Sequence, residues 1–83
     1  MFTILFSPRA EKDLNKLPPY IRQRIVGKLN DYTACENPLS FAKPLINLPP
    51  ATHRFRVGKY RISFFVHGKT LHVERVQLRK EAY

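Results

Sequence analysis

A glycine set between two alternating stretches constrains this chain more than any other feature. Phe55, Val57, Tyr60, Ile62, Phe64 and Val66 mark one apolar face, and Gly58-Lys59 interrupts them. Alternation of this kind reads as strand with one side buried. Two residues with glycine first suit a tight hairpin, because a type II′ turn needs positive φ at its first central position. That turn leaves one register, with Val57 opposite Tyr60 and Phe55 opposite Ile62. On the other face Arg56 then stands opposite Arg61, and Arg54 opposite Ser63. A second turn is expected at His67-Gly68. It sets Phe64 opposite Leu71, Ile62 opposite Val73, Glu74 opposite Arg61 and His72 opposite Ser63.

The first half reads differently. Residues 2–6 suggest a strand with Phe2, Ile4 and Phe6 on one face. Ser7-Pro8 then opens a helix, with Ser7 as N-cap and Pro8 where its missing N–H costs nothing. Glu11 and Asp13 fall near the positive end of that helix. Ala10, Leu14 and Leu17 form its narrow apolar stripe, and Pro18-Pro19 stops it. Ile21, Ile25, Leu29 and Tyr32 trace one face of a second helix. The near absence of a linker predicts a helical hairpin. Residues 36–52 carry Pro38, Pro44, Pro49 and Pro50 and read as a connector, with Leu39, Phe41, Leu45, Ile46 and Leu48 expected to find burial. The order β-α-α-β-β-β predicts an α+β fold, a small curved and mostly antiparallel sheet with two N-terminal helices on one face.

Length and composition narrow the classes. Eighty-three residues leave room for one domain, 1–83, against about 100–200 residues for a typical domain. An apolar share of 43% argues against disorder. No apolar run approaches the roughly 18–20 residues of a membrane span, and residues 1–14 lack a basic secretory n-region, so no membrane association is expected. The lone Cys35 permits neither an internal disulfide nor a cysteine-based metal site, which fits a reducing cytoplasm. His53, His67 and His72 show no metal spacing, and no cofactor is expected.

Charge is the functional clue. Fifteen basic and six acidic residues give a net charge of +9. Residues 1–42 hold six basic and four acidic side chains, and residues 43–83 hold nine and two. The excess therefore belongs to the sheet half. Like charges directly opposite each other cost a sheet about 0.2–1 kcal/mol per pair. Setting Arg56 against Arg61 makes sense if an anion lies between them, converting repulsion into bidentate guanidinium–phosphate bonds. Arg54 shares that face, and Arg79 and Lys80 follow the last strand. Phe65 falls on the same face, where it either stacks on a base or packs at the sheet edge. His72 lies near Arg54 and Arg61, where a solvated ring is the plainer reading and a general base the sharper one.

The chain resembles the RelE/ParE superfamily of toxins from toxin–antitoxin pairs. The resemblance rests on FSPRAEKDLNKLPPYIRQRI, KPLINLP, HRFRVGKYRISFFVHG and the terminal RKEAY, in that order along nearly the whole chain. It implies a curved sheet with two N-terminal helices on one side. It also implies a metal-independent endoribonuclease that cuts mRNA on the ribosome, or else a ParE-like gyrase inhibitor or another non-nucleolytic binding toxin. In the nuclease branch, basic residues on the open sheet face and a C-terminal tyrosine carry the chemistry. By position these are Arg54 and Arg56 before the turn, Arg61 after it, Arg79, and Tyr83. The resemblance thus casts Arg56, Arg61, Arg79 and Tyr83 as catalytic, with Arg54, Lys80 and Phe65 as RNA-binding. Leu78 stands where many relatives carry histidine, and Gln77 where glycine is common. The partners implied are a cognate acidic antitoxin, in a heteromeric complex, and mRNA with the ribosome.

Overall fold

A computed structural model describes residues 2–46 and 48–78. Its elements run β1 (Thr3–Phe6), α1 (Pro8–Asn15), α2 (Pro19–Ala34), a 3-10 turn (Pro38–Phe41), β2 (Lys43–Pro44), β3 (His53–Val57), β4 (Tyr60–His67) and β5 (Thr70–Leu78). Among these residues the strands form one mixed sheet in the order β1-β5-β4-β3-β2. β1 runs parallel to β5, and the remaining pairs are antiparallel. The two helices contribute to a core on one face of the sheet, as the α+β reading expects.

Local chemistry accounts for the first helix. The Ser7 hydroxyl accepts from the Ala10 N–H at 3.0 Å, which satisfies one orphan donor of the helix start. The same hydroxyl donates to the Glu74 carbonyl at 2.8 Å, so one side chain caps α1 and ties it to β5. Replacing Ser7 with alanine is expected to cost about 1–2 kcal/mol, read as a lower urea midpoint with unchanged m-value.

The core joins Ala10 and Leu14 of α1 and Ile25 and Leu29 of α2 to the inward residues of the sheet. Phe55, Phe64, Ile62, Leu71 and Val73 are fully buried. Each such side chain contributes about 1.5–3 kcal/mol by leaving water. Tyr32 bridges the layers, with ring centroids 4.8 Å from Phe41 and 4.7 Å from Phe55.

The first hairpin has the expected register throughout, from Val57↔Tyr60 to Arg54↔Ser63. Gly58 adopts φ +59°, which explains why glycine begins the turn. The second turn differs from expectation. Its tip is Gly68-Lys69, with His67 paired to Thr70 and Gly68 at φ +62°. Phe64 therefore faces Val73, not Leu71. A shift of two residues keeps each side chain on its face, so periodicity alone could not detect it. A further irregularity follows at Ser63/Phe64: Ser63 pairs with Arg75 while Phe64 pairs with Val73, leaving Glu74 as the extra residue of a bulge. Past the bulge β5 resets, so Val73 and Val76 are both buried and Arg61 pairs with Gln77 instead of Glu74.

The connector also departs from expectation. Leu39 packs on the core, but Phe41, although stacked on Tyr32, is 49% exposed, Leu48 48% and Ile46 81%. The Leu45 N–H donates to the Thr52 carbonyl at 2.9 Å, closing a loop beside the sheet instead of over the core.

Candidate nucleic-acid interface

Cross-strand pairing places the basic residues in two adjacent rows on the face opposite the core, with α1 reaching it along the β5 edge. One row runs Lys43, Arg54, Ser63 and Arg75, and the next runs Arg56, Arg61 and Gln77. Arg56 and Arg61 are directly opposed, as the hairpin register requires. Their exposures differ sharply. Arg56 is exposed and Arg54 half-buried, whereas Arg61 is only 6% exposed. The face was expected to be open, but residues 48–51 form a wall beside Arg61.

Two hollows flank the opposed pair. The larger, about 290 Å³, is lined by Arg61, Ser63 and Gln77 from the sheet, by Arg9, Glu74 and Arg75 at its margin, and by residues 48–51. The smaller, about 120 Å³, is lined by Phe41, Lys43, Arg54 and Arg56. Three cations around one small hollow form a natural anion cradle. Lys43 was not singled out from the sequence. It lies in a proline-rich stretch without periodicity, and only its pairing with Arg54 brings it to the site. Arg9 was likewise not assigned to the site, since the start of α1 delivers it; Ser63 stands opposite Arg54 as the hairpin register predicts, and the bulge in β5 moves Glu74 from its expected place opposite Arg61 to the margin of the hollow.

Not every cation here is available for an anion. The Arg75 Nε donates to Asp13 Oδ2 at 2.9 Å and its Nη2 to Oδ1 at 3.3 Å. The Val76 N–H donates to the same carboxylate at 2.9 Å. Burial pushes the Asp13 carboxyl up, but the bonds from Arg75 and the Val76 N–H, with the charges of Arg75 and Lys16, hold it below its ordinary value. Asp13 was expected to serve the helix dipole; it instead anchors α1 to β5.

The aromatic residues also take definite places. Phe65 lies directly opposite His72, and the rings stack with centroids 4.6 Å apart and 7° between planes. His72 faces Phe65 and not Ser63, because of the shifted turn. Arg79, Lys80 and Tyr83 lie outside the described residues. Among the described residues no three His, Cys, Asp or Glu side chains gather into a metal site, and no helix is long and apolar enough to cross a membrane.

A family described as the ParE toxin of the type II toxin–antitoxin system matches residues 4–83. With this fold and this basic face, the chain belongs to the RelE/ParE superfamily and is a toxin of a type II toxin–antitoxin system, RelE-like in its relatives. It is 33% identical over 85 residues to Toxin RelE3 of Methanocaldococcus jannaschii, covering 96% of this chain and 93% of that one. The RelBE2 toxin–antitoxin complex of Mycobacterium tuberculosis superposes with a TM-score of 0.75 at 32% identity, over 94% of this chain and 98% of the other. The RelB–RelE antitoxin–toxin complex of Methanococcus jannaschii gives 0.72 at 31% identity, over 95% and 94%.

Proposed function

We propose that this toxin cleaves mRNA during translation, without a metal ion, by attack of a 2′-hydroxyl on the adjacent phosphodiester, which forms a 2′,3′-cyclic phosphate as the P–O5′ bond breaks and the 5′-oxygen leaves with a proton as a 5′-hydroxyl. The observation that carries the reading is the direct opposition of Arg56 and Arg61, with Arg54 and Lys43 continuing the cationic surface. Two guanidinium groups held across one strand pair suit a phosphate whose charge grows in a pentavalent transition state. Arg56 and Arg61 bind that phosphate. Arg54 and Lys43 hold the flanking backbone, and Arg79 and Lys80, next in the sequence, add to the contact. Tyr83 orients the attacking hydroxyl.

Proton removal is the demanding step. Arginine is a poor acceptor, with a pKa above about 12. Proton removal therefore falls to Tyr83, to Lys80 or to a group of the ribosome, because Leu78 stands where many relatives carry histidine. Cleavage of free RNA is accordingly slow and cleavage on translating ribosomes fast. The expected partner is an acidic antitoxin that covers the +9 chain in the cytoplasm. The solved relatives in complex with RelB antitoxins support that part.

A second reading, a ParE-like inhibitor of DNA gyrase, draws on the family description and on Leu78. A translation reaction mapped by primer extension separates the two. Cuts inside codons are the expected result. Intact mRNA together with blocked DNA supercoiling would overturn the nuclease reading.

A further inference from the structure

The arginine rows occupy only part of the sheet face opposite the core. Beyond them the same face turns apolar. β4 presents Phe65, β5 presents His72 and β1 presents Leu5, in one cross-strand row, since Leu5 pairs with His72 and His72 with Phe65. Leu5 is 53% exposed, and both rings are half-buried. The rings lie nearly parallel, 7° apart, with their centroids at 4.6 Å. Because the rings face each other across the strand pair, each keeps one π-face, directed along the row, on which a further planar group can stack.

We propose that the Phe65–His72 stack, with Leu5 beside it, is a platform for a nucleobase of the same RNA strand whose phosphate lies at Arg56 and Arg61. This rests on the nuclease reading of that face. Phe65 lies four positions beyond Arg61 on β4, about 13 Å along the strand. An extended single strand covers that distance within a few nucleotides, so one chain can engage both places. Aromatic stacking is the common way of holding a single-stranded base, and it tolerates any base because all have a π-face. The cationic neighbourhood favours nucleic acid over an apolar protein segment, since a base arrives with its own phosphate. The platform gives the site a direction, with cleavage at the arginines and a base held toward the β4–β5 turn.

The test uses the whole chain and a short 2′-O-methyl RNA, which lacks the attacking hydroxyl. 2-Aminopurine is placed at each position in turn. Binding should quench it strongly at one position, a few nucleotides from the arginine-bound phosphate. Phe65→Leu and His72→Leu, each with wild-type circular dichroism, should abolish that quenching and weaken binding about tenfold or more. Two variants are used so that a folding defect in one leaves the other decisive. Unchanged affinity and quenching in both would overturn the platform. Arg56→Gln distinguishes this outcome from failure of the face as a whole. If it too leaves RNA affinity unchanged, the nuclease face itself is wrong; if it alone weakens binding, only the platform is. Loss of antitoxin affinity with RNA binding intact would also overturn the proposal, making the stack a protein-docking site.

Discussion

Changing Arg56 and Arg61 together to glutamine is expected to abolish the growth arrest caused by this chain while leaving it folded. Each guanidinium offers a charged, bidentate grip on the phosphate that glutamine cannot reproduce. Loss of one preorganised donor to a developing charge typically costs about 10²–10³ in rate. Losing both removes the proposed phosphate site. The fold should persist for two reasons. Arg56 is exposed and carries little packing. The substitution also ends a direct opposition of like charges worth about 0.2–1 kcal/mol against the sheet. Arg61 is buried, so glutamine is chosen over alanine to retain polar atoms beside Ser63 and Gln77 in the hollow. Growth curves after induction, with urea unfolding of the purified variant, give both readouts. Lys28→Gln, an exposed change on α2, serves as the control of equal charge loss per site. Retained toxicity in the double variant would eliminate the phosphate site.

The second large effect concerns stability. Asp13→Ala removes three hydrogen bonds at once and takes the carboxylate from the partly buried Arg75, whose side chain is 29% exposed against 13% for Asp13. Breaking such a pair is expected to cost about 2–4 kcal/mol. For a domain of this size that lowers the melting temperature by roughly 10–20 °C. A pH titration checks the cause. The folded-state pKa of Asp13 lies below the ordinary 3.8, so its contribution is complete above that value and fades as pH falls through the folded pKa. Wild type and Asp13→Asn should therefore differ most near neutrality and converge in acid below 3.8. A gap that stays constant down to strongly acid pH would show that the carboxylate charge is not the source.

How far the sequence carried this picture depends on how local each signal was. The Gly58 hairpin was legible pair by pair, because a two-residue turn and an apolar alternation specify the same register. From it the opposition of Arg56 and Arg61 followed directly. The Ser7-Pro8 start of α1 and the apolar stripe of α2 were equally local. The second turn was misplaced because Gly68 can begin a tight turn as well as end one, and a two-residue shift leaves the pattern unchanged. The bulge at Glu74 had no compositional signal at all. It still decides that Arg61 meets Gln77 and that Glu74 reaches the hollow from the side. Lys43 and the wall at residues 48–51 were illegible for another reason. Their places depend on where the connector docks, and a proline-rich stretch has no period to read.

β5 is hydrogen-bonded on one side to β4 and on the other to β1, whose residues lie some 67 positions earlier. A sheet closed through such distant partners is assembled late, after the loop-closure entropy of the intervening chain has been met. During synthesis, β1, both helices and the arginine hairpin all emerge before the strand that completes their core. Until β5 arrives, Ser7 and Asp13 lack their partners and Leu71, Val73 and Val76 are missing from the apolar layer. Without β5 the arginine hairpin has no link to β1 or to α1, so the proposed phosphate site depends on the strand that is formed last.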